Sequence, residues 1–328
     1  MKILITGIAG FIGFSLAKTL LDKNHIVYGI DNINNYYDVK LKKKRLFFLK
    51  DIYKKKFKFN KIDISNTKNI NSYFVGKKFD KVFHLAAQAG VRYSLFHPEK
   101  YLDSNLIGFS NIIFNCKKKK IKDFIYASSS SVYGANKKVP YKESDKVSSP
   151  LQYYAATKIS NEAIAESYSR LYKIRCTGLR FFTVYGPWGR PDMALFKFVK
   201  NIFNNKSINI YNKGYHYRDF TYIDDVIYLT LKISESKKFF NKENYHRILN
   251  IGTGNPEPLK KYLNIIENKV GKKAKVKYLK IQKGDMVKTY ACVKKLKKIV
   301  NIKNRINLEK GISNFVEWYK DYHKLKHR

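Results

Sequence analysis

Apolar and polar positions along the chain follow two patterns, short continuous apolar runs and longer segments with helical spacing. Residues 2–6 form the first apolar run, and apolar residues recur at helical spacing from 14 to 21. Further strand-like segments follow at 25–30, 57–62, 81–85 and 123–127, with helix-like segments between them. Short buried strands that alternate with helices are typical of βαβ units. The pattern therefore predicts an α/β protein with a doubly wound parallel sheet and helices on both faces.

A glycine-rich turn joins the first strand to the first helix. Gly7, Gly10 and Gly13 are spaced as Gly-x-x-Gly-x-x-Gly, with Phe11 and Ile12 between the last two. The first glycine permits a tight turn, the second lets a pyrophosphate approach the backbone, and the third lets the helix pack on the strand. A turn that merely needs glycines is the alternative. The strand, the turn and the helix start together favour a Rossmann-type site for a dinucleotide.

The cofactor expected in this site is NAD rather than NADP. Asp31, followed by Asn32, ends the second strand, where a carboxylate accepts hydrogen bonds from a ribose diol and repels a 2′-phosphate. Lys40 and Lys42 follow on a predicted loop, and their charge could blunt that preference.

Three further segments are expected to line the cofactor. The third strand ends in Asp63 and Ile64, which could cap the adenine amino group, although an exposed loop acid is the alternative. The fourth strand runs into small residues that let a cofactor lie against the backbone, namely Leu85, Ala86 and Ala87. A predicted helix at 101–118 carries the amide of Asn105 near the nicotinamide end. His84, in the middle of a strand, is more typical of a packed core histidine and is given no role.

Candidate chemistry lies in a serine run and a tyrosine–lysine pair. Ser128 to Ser131 follow the fifth strand, at the carboxyl edge where doubly wound sheets bind ligands. If the next segment is helical, Tyr154 and Lys158 lie one turn apart on the same face. A neighbouring ammonium and a cationic nicotinamide would favour the phenolate and lower the pKa of Tyr154. The Tyr-x-x-x-Lys spacing alone arises by chance in a chain with 26 tyrosines, so its order after the glycine turn and the serines carries the argument.

The pattern loosens in the second half of the chain. Residues 1–186 are predicted to form the dinucleotide-binding domain, and 187–328 mainly a smaller substrate-binding lobe. Segments near 218–232 and 247–252 are expected to return to the first domain. A helix is predicted at 194–204 and strands at 208–211 and 217–222, and a basic amphipathic helix near the C-terminus has no assigned function.

The amino-acid composition excludes few classes of function. The formal net charge of +41 invites a nucleic-acid interpretation, because a basic surface releases counterions from phosphate backbones. The lysines, however, are spread along the whole chain with abundant Asn, Ile, Tyr and Phe, which favours a compositional bias and solvated helix faces. A positive field would also attract an anionic nucleotide substrate. No nucleic-acid partner is therefore expected.

The remaining features indicate a cytoplasmic protein. We find no run of eighteen apolar residues and no signal peptide, so no membrane partner is expected. Cys116, Cys176 and Cys292 are widely spaced and form no zinc motif with the seven histidines. They are expected to be reduced and buried, and no metal is expected.

Together, these motifs resemble the extended short-chain dehydrogenase/reductases that epimerise nucleotide sugars. The resemblance runs from the first residue to at least Cys292 and includes Arg-Phe-Phe-Thr-Val-Tyr-Gly-Pro at 180–187. The segments 86–94 and 186–194 are most similar to UDP-glucuronate 4-epimerases. The resemblance implies bound NAD, a UDP-sugar substrate with a uronic acid favoured, and a homodimer formed by the helices that begin near 101 and 154.

The resemblance also implies residue roles. Ser129 would be the catalytic hydroxyl, Tyr154 the base, and Lys158 the group that holds the nicotinamide ribose. Arg218 resembles an arginine that grips the diphosphate, and Gly284 to Met286 resemble a loop over the nucleotide. The other residues implied at the cofactor are Ser128, Phe181 and Val184, and those implied at the substrate are Gln88, Arg92, Ser130, Thr183, Arg190, Met193 and Asp285.

Three of these positions distinguish the possible reactions. Thr183 stands where hexose 4-epimerases commonly carry Asn, and resembles the uronate branch. Arg190 could meet a carboxylate bidentately, with a surface salt bridge as the alternative. Ser130, with the serine after it, occupies the place of the Asp-Glu pair that dehydratases need, which argues against loss of water.

The expected reaction is inversion of carbon 4 of a UDP-uronic acid through a transient 4-keto intermediate. UDP-glucose 4-epimerisation and UDP-glucuronate decarboxylation remain alternatives, the second because a 4-keto uronate is a β-keto acid. A non-catalytic NAD- or nucleic-acid-binding protein is a further alternative, but a binder has no need of the serine, tyrosine and lysine together.

Overall fold

The computed structural model describes residues 1–281, 285–301 and 305–325. The strands are β1 (Lys2–Thr6), β2 (Ile26–Asp31), β3 (Phe57–Lys61), β4 (Lys81–His84), β5 (Asp123–Ser129), β6 (Arg175–Phe181), β7 (Thr183–Tyr185), β8 (Ile208–Tyr211), β9 (Tyr217–Arg218), β10 (Phe220–Tyr222), β11 (His246–Ile251), β12 (Glu257–Pro258), β13 (Val276–Leu279) and β14 (Lys288–Thr289). The helices are α1 (Phe11–Asp22), α2 (Val39–Tyr53), α3 (Thr67–Phe74), α4 (Pro98–Tyr101), α5 (Gly108–Lys118), α6 (Tyr153–Tyr172), α7 (Ala194–Phe203), α8 (Ile223–Glu235), α9 (Leu259–Val270), α10 (Lys294–Lys297) and α11 (Leu308–Tyr322).

Seven parallel strands form the central sheet, in the order β11-β6-β5-β4-β1-β2-β3. The strand order reverses between β1 and β4, so the connections that follow these two strands leave in opposite directions and open a crevice at their carboxyl ends. Helices α1, α2 and α8 pack together on one side, and α3, α5 and α6 on the other. The predicted Rossmann-type α/β fold is confirmed.

Burial explains why the central strands read as continuous apolar runs. Residues Ile3 to Ile5 of β1 and Val82 and Phe83 of β4 are completely buried, because helices cover both faces of the sheet. His84 is buried beside the rings of Phe109 and Phe124, which confirms its place in the core.

The second half of the chain adds small sheets and helices beside the carboxyl edge. Strand β7 pairs with β10, β8 pairs with β13, and β9 lies between β12 and β14. Helices α9 and α11 pack on each other, and α7 packs on α9. Strand β11 joins the central sheet beside β6, while α8 packs on α1.

Two predicted elements differ in detail. The strand predicted at 217–222 is broken at Asp219, because the backbone N–H groups of Thr253, Gly254 and Ala291 all donate to its buried carboxylate. The helix predicted at 101–118 contains a π-helical segment, Leu102–Ile107, before α5. A π-helical turn is often found at functional sites.

The three cysteines are free and buried, as predicted. Within residues 1–281, 285–301 and 305–325, no helix is both long and apolar enough to cross a membrane. In the same ranges, no group of three or more His, Cys, Asp or Glu side chains is arranged to hold a metal ion.

Candidate active site

A cleft of about 620 Å³ opens at the carboxyl ends of the central strands and extends toward the second half of the chain. Most of the residues that the sequence assigns to a site lie in its wall, although they come from many separate elements. These are Gly7, Gly10, Phe11, Ile12, Gly13, Asp31, Asn32, Ile64, Leu85, Ala86, Ala87, Gln88, Arg92, Ser128, Ser129, Ser130, Tyr154, Lys158, Phe181, Thr183, Val184, Arg190, Met193, Arg218 and Asp285. The fold therefore assembles one site from motifs spread over most of the chain.

The glycine turn lies at one end of the cleft, and its shape depends on missing side chains. A Cβ on Gly7 would lie 2.7 Å from the nitrogen of Ala86, and its φ of +72° is one that few other residues adopt. A Cβ on Gly13 would lie 2.2 Å from the carbonyl oxygen of Gly7. No side chain of the described residues caps the N-terminus of α1. The helix therefore presents its first N–H groups to the cleft, the arrangement that binds a pyrophosphate.

Asp31 links this turn to the end of β2. Its carboxylate accepts hydrogen bonds from the N–H of Ala9 at 3.0 Å and of Ile33 at 2.8 Å. Burial raises the pKa of Asp31, against the hydrogen bond from Ile33 and the charge of Lys42. Lys42 is itself buried, at the start of α2, and donates to the backbone and side-chain oxygens of Asn34 at 2.7 Å. The turn, the helix N-terminus and this carboxylate fit a dinucleotide.

Two predicted cofactor residues are not in the cleft wall. Asp63 accepts a hydrogen bond from Asn32 at 2.8 Å, so it holds a residue that lines the cleft. Asn105, in the π-helical segment, is buried; it accepts from the N–H of Gln88 and donates to Thr157 of α6. Both side chains reach the site through a neighbour rather than directly.

The serine and tyrosine meet as the sequence predicts. Ser129 is the last residue of β5, and Tyr154 lies in the first turn of α6, with a hydrogen bond between their side chains. Burial raises the pKa of Tyr154, against that hydrogen bond and the positive charge of Arg190. The protein by itself therefore does not give the expected lowering of this pKa.

Lys158 lies one turn after Tyr154 and is almost completely buried. Its ammonium donates to the carbonyl of Ala127 at 2.9 Å, at the end of β5. Burial lowers the pKa of Lys158 to about 8, although Glu162 acts in the opposite direction. The pKa therefore lies closer to physiological pH than that of an exposed lysine, and the ammonium remains the main form at pH 7.

The opposite wall of the cleft contains an ion pair, which the sequence analysis gave as the alternative for Arg190 without naming the partner. Arg190 donates to both carboxylate oxygens of Asp192, and the hydroxyl of Tyr36 donates to the same carboxylate at 3.1 Å. Burial works to lower the pKa of Arg190, but Asp192 outweighs it and raises the pKa overall. The sequence shows an acid two residues after Arg190. It does not show that Tyr36, which is distant along the chain, contacts the same acid.

At the mouth of the cleft, Arg92 and Asp285 form a salt bridge at 3.2 Å, and the Arg92 guanidinium stacks over the ring of Tyr211. Arg218 donates to the carbonyls of Tyr217 and Val287. Burial lowers its pKa, against the charge of Asp285. Gly284, in the predicted loop over the nucleotide, lies outside the described residues.

Residues 3–252 match the NAD dependent epimerase/dehydratase family. The matched segment contains every predicted site residue except Asp285, and it covers most of the chain.

Relatives of similar length extend the match over the whole chain. Protein CapI of Staphylococcus aureus is 47% identical over 99% of this chain and 100% of its own length. A UDP-glucuronate 4-epimerase of Thermodesulfobacterium geofontis is 41% identical over 97% of this chain and 96% of its own. The crystal structure of UDP-glucuronic acid 4-epimerase from Bacillus cereus, in complex with UDP-glucuronic acid and NAD, matches with a TM-score of 0.88 at 32% identity. That match covers 98% of this chain and 100% of the crystallised one.

Proposed function

The chain belongs to the NAD dependent epimerase/dehydratase family, and from this membership we propose that it interconverts UDP-glucuronate and UDP-galacturonate with NAD as cofactor. The observation that carries the proposal is the hydrogen-bonded pair of Ser129 and Tyr154, which lines the same cleft as the glycine turn and Arg190. The relatives named UDP-glucuronate 4-epimerase and the complex with UDP-glucuronic acid and NAD support this choice of sugar and cofactor.

The cofactor would lie along the cleft from the glycine turn to Tyr154. The N–H groups at the start of α1 would hold its pyrophosphate, Asp31 its adenosine ribose, and Lys158 its nicotinamide ribose. When bound, NAD supplies removal of hydride from carbon 4 of the sugar and its return to the opposite face.

The protein residues manage the proton. Tyr154, as a phenolate, accepts the proton of the sugar 4-hydroxyl when carbon 4 is oxidised, and returns it when the ketone is reduced. Ser129 orients that proton through its hydrogen bond with Tyr154. Because burial opposes ionisation of Tyr154, the ammonium of Lys158 and the nicotinamide charge both favour the phenolate.

Epimerisation requires the 4-keto sugar to turn over in the cleft while it keeps its carboxylate. A 4-keto uronate loses CO₂ readily when the bond to its carboxylate aligns with the ketone π system. Thr183 and Arg190 line the cleft and would hold the carboxylate out of that alignment. Because Asp192 occupies two donors of Arg190, the sugar carboxylate would use the donors that remain.

The test is to incubate the purified protein with UDP-glucuronate and to separate the products by anion-exchange chromatography. We expect UDP-glucuronate to give UDP-galacturonate, and UDP-galacturonate to give UDP-glucuronate. No net reduction of NAD is expected in either direction. A UDP-pentose with release of CO₂ would instead identify a decarboxylase, and turnover of UDP-glucose alone a hexose epimerase. No product from any of these sugars would reject the proposal.

We also propose a cytoplasmic homodimer. Large apolar side chains are exposed on the helices expected to pair, among them Leu102, Ile107 and Phe114 near α5 and Leu171 at the end of α6. Exposed apolar side chains of this size favour a covered face. The three free thiols suit a reducing compartment. Light scattering of the purified protein should give twice the mass of one chain, and a mass of one chain would reject the dimer.

A further inference from the structure

Glu162 is a buried carboxylate, one turn after Lys158 on α6, to which the reaction as described assigns no role. Its exposed fraction is 7%, and that of its partner Arg180 is 3%. Arg180 donates to both carboxylate oxygens, from Nε at 2.9 Å and from a terminal nitrogen at 2.7 Å. The hydroxyl of Ser128 donates to Oε1 at 2.5 Å. A buried charge with this many hydrogen bonds is held in one orientation.

The contact with Ser128 belongs to a set that joins the end of β5 to α6. Three consecutive residues of β5 each contact α6. Ala127 accepts from Lys158, Ser128 donates to Glu162, and the side chain of Ser129 bonds with that of Tyr154. The hydrogen bond between Ser128 and Glu162 therefore helps to fix the position of the adjacent Ser129 relative to Tyr154.

The charges around Lys158 show a second consequence. Lys158 and Arg180 are both buried cations, and Arg180 stays protonated at any physiological pH. Glu162 is the carboxylate that acts on Lys158, and it raises a pKa that burial lowers. Without Glu162, two cations would share a buried site with no counter-charge, and Lys158 is the one that can lose its proton.

The other groups facing Lys158 do not replace this carboxylate. On β4, His84 is neutral because burial lowers its pKa to about 3. The π-helical segment contributes the uncharged Asn105, β5 contributes serine hydroxyls, and α6 itself contributes Tyr154, whose pKa is raised by burial. The remaining nearby charge, Arg180 on β6, has the same sign as Lys158.

We propose that Glu162 is a positioning residue for the reaction. Through Ser128 it holds the end of β5 against α6, and as counter-charge it keeps Lys158 an ammonium. This inference rests on the proposed function, in which Lys158 acts as a cation toward the nicotinamide ribose and Tyr154.

The test compares variants that change the charge with one that changes only the contact. Glu162→Gln keeps the shape and an oxygen for Ser128, and should move the alkaline limb of the kcat–pH profile down by about one pH unit or more. Arg180→Gln should move the limb up, because Glu162 then acts on Lys158 alone. Ser128→Ala should lower kcat without moving the limb. Glu166→Gln, one turn further along α6 at a partly exposed residue that pairs with Arg170, is the matched control and should behave like the wild type.

A second measurement does not depend on the sugar. The Kd of NAD⁺ should rise at alkaline pH in the wild type, and at a lower pH in Glu162→Gln. Inactivity of the wild type on UDP-glucuronate would reject the proposed function, while this titration would still decide the role of Glu162. A Glu162→Gln variant with the wild-type pH dependence in both measurements overturns the inference, whatever its kcat. If that variant does not fold, a downward or absent shift in Arg180→Gln overturns it.

Discussion

The two walls of the cleft are built differently. The wall formed by β1, β2, β5, α1 and α6 uses backbone geometry and contacts between adjacent elements, such as the glycine turn and the pair of Ser129 and Tyr154. The wall formed by the loops near 32–38, 186–193 and 285–289 depends on side-chain ion pairs that join distant segments. The first wall has little freedom to change without losing the site, whereas the second can be altered to suit a different sugar.

The difference predicts where substitutions should be most severe. Removal of a group on the strand-and-helix wall should abolish chemistry or cofactor binding. Changes on the loop wall should alter which product forms, or how tightly the sugar binds.

The largest effect is expected for Tyr154→Phe. This change removes the proton acceptor and leaves the ring, so turnover of UDP-glucuronate should fall by about 10³-fold while the fold is kept. Tyr153→Phe, at the exposed neighbouring position, is the control and should retain wild-type turnover. Initial rates and thermal unfolding would be measured for both. Turnover of Tyr154→Phe within tenfold of the wild type would contradict the proton role.

The next largest effect is expected for Gly13→Ala, because the new methyl group would collide with the carbonyl oxygen of Gly7. Binding of NAD⁺, measured by titration calorimetry, should weaken by about 100-fold or more. This corresponds to a loss of about 2.8 kcal/mol of binding free energy, at about 1.4 kcal/mol for each factor of ten. Gly76→Ala is the comparison, since a Cβ there meets nothing within 4 Å but the φ is +66°. It should cost about 1 kcal/mol of stability and leave NAD⁺ binding unchanged. Equal NAD⁺ affinity in both variants would mean that the turn does not depend on close approach.

The same contrast explains what the sequence could predict. The glycine turn, Ser129, Tyr154 and Lys158 were recognisable because their geometry is set by local motifs and by the common edge of a parallel sheet. Asp63 and Asn105 were expected to touch the cofactor, and this stays a prediction; in the structure they are bonded to Asn32 and Gln88, which line the cleft, since a motif gives the neighbourhood of a side chain and not its direction.

The loop wall was less predictable because its contacts join segments that no local pattern relates. Arg190 was expected to meet the carboxylate of the sugar, with a surface salt bridge as the alternative, and in the structure it pairs with Asp192. Tyr36 reaches the same carboxylate from a position 156 residues away in the sequence. Glu162 of α6 was also missed, because its partner Arg180 is on β6, where the register with β5 places it beside Ser128.

A smaller effect is expected for Asp192→Asn. Loss of the charge would free Arg190 from its fixed orientation, so the sugar carboxylate would be held less firmly. We expect kcat/KM to fall by about 10- to 100-fold, in line with the roughly 1.5–3 kcal/mol contributed by hydrogen bonds to charged groups. We also expect the fraction of turnovers that release CO₂ to rise. The product ratio would be measured by chromatography together with trapped CO₂.

Tyr36→Phe is the matched variant for this prediction, because it removes one hydrogen bond to Asp192 and leaves the ion pair. Its effect on the product ratio should have the same direction and be smaller. If Asp192→Asn and the wild type give the same product ratio and the same kcat/KM, Asp192 does not position Arg190 for the sugar.

The smallest effect is expected at the mouth of the cleft, where Arg92 and Asp285 pair at 3.2 Å with the arginine side chain half exposed. Exposed pairs of this kind contribute about 0–1 kcal/mol. Arg92→Gln should therefore raise the KM for UDP-glucuronate by less than about fivefold with kcat unchanged, and added salt should reduce the difference from wild type, because solvent ions screen exposed charges. Arg92→Lys keeps the charge and should stay closer to the wild type. A loss of more than tenfold that persists at high salt would mean that Arg92 binds the sugar nucleotide in a desolvated site, and the loop wall would then be as demanding as the strand-and-helix wall.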